Sequence, residues 1–80
     1  MNPDEIARLI EQGLEGAEAR VVTDGQGHYE AVVVCPAFAG KRSLPRHQMV
    51  YDTLGQRVGR EIHALAVKTY TPDEWQARQG

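Results

Sequence analysis

Cysteine is nearly missing from this 80-residue chain. The one present, Cys35, excludes an internal disulfide framework and any self-contained metal site built on paired cysteines. Long apolar runs are lacking too. The Ala31–Cys35 run is far short of the ~20 residues that cross a bilayer, and no leader pattern follows Met1. Positive charge is not in excess: nine Lys and Arg face eleven Asp and Glu, for a net charge of −2. No overall field therefore draws the molecule to nucleic acid or to an anionic membrane. Aromatic residues are few, with one Phe, one Trp and three Tyr. A glycine-rich nucleotide loop is absent, the lone Ser43 and Cys35 have no base in a motif context, and nothing positions Glu30 and Glu61 as an acid–base pair. The expectation is a single non-enzymatic domain over residues 1–80, in a reducing, cytoplasmic setting, with stability on the order of 5 kcal/mol.

What is present has clear periodicity. Asn2-Pro3-Asp4-Glu5 has the cap, the proline and the acids of a helix start. Ile6, Leu9, Ile10 and Leu14 form its apolar stripe, ended by Gly13 and Gly16. Ala17–Thr23 predicts a strand, Asp24-Gly25-Gln26-Gly27 a turn, and His28–Cys35 a strand stopped by Pro36. Its Ala31-Val32-Val33-Val34 run suits a central position or burial on both faces. Ala37–Ser43 reads as a loop or single helical turn, with Phe38 anchored in the core. A second helix follows from Leu44, with Val50, Leu54 and Val58 at fourfold spacing, His47 one turn earlier, and Gly59 as its stop. Ile62–Tyr70 alternates, placing His63, Leu65, Val67 and Thr69 on one face. Thr71-Pro72-Asp73-Glu74 then reads as a capping box ahead of Trp75, which folds back on the sheet edge.

This order predicts an α+β domain. The first two strands form a hairpin, and the last two, joined across a helix, are parallel. The result is a three-stranded mixed sheet with helices packed on one face. In such a sheet His28 and His63 both stand at strand starts on the same end, and neighbouring strands are about 4.8 Å apart. Two imidazoles there would be within reach of one metal centre, although spacing alone leaves each of them free to be a hydrogen-bonded boundary residue. A tetrahedral site would still need ligands from elsewhere.

The segments "RHQMVYDTL" and "IHALAVKTYTPDEW", with "FAGK" upstream, resemble the BolA family, in particular its short bacterial members of the IbaG type. The resemblance runs from about Gly27 to Trp75, and the IHAL…K-x-Y-TP-x-x-W run is its specific part. It implies a class II KH-like fold and pairing with a monothiol glutaredoxin, the pair holding a [2Fe–2S] cluster with the glutaredoxin cysteine and glutathione on one side. On the other side, the family's strand-opening histidine falls on His63, and its variable loop ligand falls on His28. Alone, the chain is expected to be a monomer or weak homodimer, and not to enter a membrane.

A rival surface lies around Gly40. Lys41, Arg42 and Arg46 place three cations at a glycine turn and a helix N-terminus, a corner suited to phosphate. Arg57, Arg60 and Lys68 could extend it as a basic stripe. KH domains grip nucleic-acid backbone with a GXXG loop, but only Gly40 is present here. Some BolA members are described as DNA-binding regulators, so the resemblance implies DNA as the alternative partner.

Overall fold

A computed structural model describes residues 1–79 of the chain. Helix α1 spans Pro3–Gly13, β1 Glu18–Thr23, β2 His28–Val34, α2 Ser43–Leu54, β3 Ala64–Tyr70 and α3 Pro72–Gln79, with 3₁₀ turns at Pro36–Phe38 and Gly55–Arg57. The sheet order is β1-β2-β3. β1 and β2 are antiparallel, with Val21 opposite Ala31, and β2 and β3 are parallel, with Ala31 opposite Val67. The expected mixed sheet is therefore the observed one.

The start of α1 follows its sequence. The Asp4 N–H donates to the Asn2 side chain at 2.7 Å, satisfying a group that the helix itself leaves unpaired. Ile6 and Ile10 face inward and are fully buried with Ala31, Val33, Phe38, Val50, Leu54 and Ile62. Each of the Ile, Leu, Val and Phe side chains contributes about 1.5–3 kcal/mol by leaving water. β2 is central, as its valine run suggested, but it is not sealed on both faces. Ala31 and Val33 are buried, whereas Val32 and Val34 are half-buried on the other face.

Two boundaries differ from the sequence expectation by more than one residue. α2 ends at Leu54 and not at Gly59. Gly55 caps it with φ +58°, a conformation that stops a helix at little cost when the residue has no Cβ. Val58 thus leaves the helical stripe and bridges to Ile62 instead. Because of that bridge Ile62 is fully buried and His63 is exposed. Regular alternation begins only at Ala64, so His63 does not share the core face with Leu65.

The capping box before α3 forms in both directions. The Glu74 N–H donates to Thr71 Oγ1 at 3.1 Å, and the Thr71 N–H donates to Glu74 Oε1 at 2.8 Å. Trp75 meets Tyr70 with ring centroids 5.2 Å apart and shares a hollow with Glu18, Arg20, Val32 and Val34. Tyr51 of α2 donates its hydroxyl to the Leu65 carbonyl at 2.8 Å, which ties the crossover helix to the start of β3. No helix among the described residues is long and apolar enough to cross a membrane.

Candidate functional site

The parallel register puts His28 opposite Ala64, so His63, one residue before β3, arrives beside His28. Their ring centroids are 5.9 Å apart and the planes are tilted by 55°. Gly27 makes this approach possible. It has φ +85°, and a Cβ built on it would lie 2.9 Å from His63 Cβ, inside the distance any side chain tolerates. Its carbonyl accepts the Ala64 N–H at 3.0 Å, locking the end of the sheet.

The turn ahead of His28 is internally bonded. Gln26 N–H donates to Asp24 Oδ1 at 2.7 Å, Gly25 N–H to Thr23 Oγ1 at 3.1 Å, and Thr23 Oγ1–H to the His28 carbonyl at 2.8 Å. The second carboxylate oxygen of Asp24 lies 2.9 Å from His28 Nδ1. The Gln26 N–H, and after it the imidazole, hold the Asp24 carboxyl below its ordinary range. This contact was not anticipated from the sequence, where Asp24 read only as a turn residue.

Cys35 lies past the opposite end of β2, fully buried, with its Sγ 3.5 Å from the Glu15 carbonyl. It cannot join the histidines. Among the described residues no group of three or more His, Cys, Asp or Glu side chains is placed to hold a metal ion. Two exposed imidazoles are half of a four-ligand donor set. Half is what a centre shared across an interface asks of one partner, so the donor set fits that arrangement and not a self-contained one.

The basic corner is smaller than its sequence suggested. Arg46 donates to both carboxylate oxygens of Glu74 at 2.7 and 3.1 Å and, through Nε, to the Lys41 carbonyl at 2.8 Å. Its guanidinium lies over the Phe38 ring, 5.9 Å from the centroid, and its side chain is only 12% exposed. Arg46 therefore fastens α2 to α3 and is not an open phosphate contact. Lys41 and Arg42 remain exposed. The stripe does not continue through Lys68, which pairs with Glu30 at 3.3 Å, nor through Arg57, which donates to the Leu54 carbonyl at 3.3 Å.

The Arg46–Glu74 pair gives a pH prediction. The guanidinium first, and the Thr71 N–H second, hold the Glu74 carboxyl down from 4.5 to about 2. A carboxyl depressed on folding stabilises the fold above its unfolded value, and that gain fades as pH falls through the folded one. The melting-temperature gap between wild type and Glu74→Gln is therefore expected to be constant at neutral pH and to close between 4.5 and about 2. A gap that persists unchanged at pH about 2 would show that the ion pair contributes nothing.

A family model described as BolA-like protein matches residues 9–74. The chain belongs to the BolA-like family. It is 38% identical over 65 residues to the DNA-binding transcriptional regulator BolA of Escherichia coli K12, an overlap covering 81% of this chain and 62% of the regulator. Against the curated BolA regulators it matches first, it spans between 48% and 62% of their length. The acid stress protein IbaG of the same organism is 33% identical over 76 residues, 94% of this chain and 89% of IbaG. A solved bolA homologue from Coxiella burnetii superposes with a TM-score of 0.86 at 44% identity, covering 95% of this chain and 97% of that one. That solved homologue shares the mixed-sheet fold.

Proposed function

We propose that this BolA-like protein pairs with a monothiol glutaredoxin and supplies His63 and His28 to a [2Fe–2S] cluster shared with the glutaredoxin cysteine and glutathione, in iron–sulfur trafficking and in iron or stress regulation. The observation that carries the reading is the pair of exposed imidazoles 5.9 Å apart at one end of the sheet. Membership of the family supports it, as does a donor set that is complete only with a partner. When bound, the cluster supplies one-electron chemistry and a transferable iron–sulfur unit. The chain's own residues hold the two imidazoles side by side. Gly27 sets the close approach, and the bonded turn limits the movement of His28.

Mixing the protein with a monothiol glutaredoxin, glutathione, ferrous iron and sulfide under argon is the test. The expected product is a coloured heterodimer whose absorption and circular dichroism differ from those of the glutaredoxin cluster alone. A mixture that keeps the glutaredoxin's own spectrum, with this chain eluting separately, would refute the proposal.

The regulators named above favour DNA as a second reading. On this geometry any phosphate contact falls to Lys41 and Arg42, ahead of an α2 N-terminus with no side-chain cap. Two lost cations would lower the salt slope of DNA retention by about 2, while glutaredoxin pairing would be unaffected.

A further inference from the structure

We propose, on the reading that His28 ligates the shared cluster, that Asp24 is its positioning residue: the carboxylate fixes the imidazole as the Nδ1–H tautomer and keeps the lone pair on Nε2. A neutral imidazole carries one donor and one acceptor nitrogen, and only the acceptor can bind a metal. Asp24 Oδ2 is 2.9 Å from His28 Nδ1. An ionised carboxylate has no proton to give, so the nitrogen facing it carries the hydrogen. The carboxylate is itself anchored, since its other oxygen receives the Gln26 N–H at 2.7 Å and the Asp24 N–H donates to the His28 carbonyl at 3.3 Å. With both ends of the residue held, the ring can neither turn over nor shift its proton without breaking a bond. Carboxylate partners of this kind orient metal-bound histidines and increase their basicity, and losing one lowers metal affinity about 10–100-fold.

Asp24→Asn separates orientation from structure. Its side-chain oxygen still accepts the Gln26 N–H and preserves the turn, but its amide now points a donor at Nδ1. That forces the ring proton to Nε2 and blocks the ligating position. Asp24→Ala removes the partner, adds no donor, and gives up the turn's bond to Gln26.

The first readout is the long-range ¹H–¹⁵N correlation of the imidazole in the full chain without its partner, at about pH 8.5, two units above the ordinary imidazole value of about 6.5. The His28 proton is expected on Nδ1 in wild type, on Nε2 in Asp24→Asn, and on both in Asp24→Ala. The second readout is the half-life of the cluster in the glutaredoxin heterodimer, expected to fall about tenfold or more in Asp24→Asn, with Asp24→Ala between that variant and wild type. Asp24→Asn with the wild-type tautomer or the wild-type half-life overturns the role of Asp24. So does a shorter half-life in Asp24→Ala than in Asp24→Asn, because only the alanine variant gives up the turn bond. His28→Ala, run alongside, distinguishes the two levels. If it shortens the half-life while Asp24→Asn does not, His28 remains a ligand without a positioning partner. If it changes nothing, both the ligand and its partner are refuted.

Discussion

Replacing His63 with alanine is expected to leave the fold standing and to erase the heterodimer's own spectrum. The side chain is exposed and adds nothing to the core, so the melting temperature of the free protein should move by no more than about 2–4 °C, the scale of a surface substitution. With that imidazole gone, the cluster falls back to thiolate ligation on the glutaredoxin, and its reduction potential drops, because imidazole in place of thiolate raises it. His28→Ala is expected to weaken the cluster less, and His28→Cys to retain it at a lower potential. Absorption, circular dichroism and cluster lifetime of the reconstituted pair are the measurements. A His63→Ala heterodimer with the wild-type spectrum and lifetime would remove His63 as a ligand, even if the two proteins still bound each other.

Gly27→Ala is expected to damage stability and site together. At φ +85° a side chain costs about 1–2 kcal/mol, and the new methyl would sit 2.9 Å from His63 Cβ. That atom is fixed to the backbone and cannot swing aside, so overpacking adds about 1–3 kcal/mol. Each kcal/mol lowers the melting temperature of so small a domain by about 4–8 °C. Gly25→Ala is the control: φ is +82°, yet nothing lies within 4 Å of its Cβ. It should show the backbone cost alone and leave the cluster lifetime unchanged. Equal losses in the two variants would mean that His63 yields freely, and that the tight approach does not hold the histidine pair.

Most of the architecture was legible because each element carries its own local signal. Asn2 and Pro3 announce α1, two glycines mark the hairpin turn, and the Thr71–Glu74 box announces α3. The boundaries that slipped did so where two signals coincided. Val50, Leu54 and Val58 keep helical spacing, but Gly55 lies between them and ends α2 first. Likewise Ile62 and His63 fit an alternating strand until the Val58–Ile62 bridge turns Ile62 inward. The histidine pair could be read from strand order alone. The partners of Arg46 and His28 could not. Glu74 is brought to Arg46 by the docking of α3, and a carboxylate four positions before a histidine in a turn has no periodicity that assigns it a contact. Cation spacing in sequence therefore overstated the phosphate corner by its most buried member.

The parallel pairing of β2 with β3 also sets when, during folding, the histidine end comes into being. The β1–β2 hairpin closes over a short turn, an event of about 1–10 μs. β3 must wait for α2 to form and cross back, and contacts so distant along the chain are entropically slow to close. A chain that has its hairpin but not its third strand has His28 held against Asp24 and His63 at no defined distance. The histidine pair therefore exists only in a chain whose crossover has closed, and a domain this small is expected to reach that state in one cooperative step.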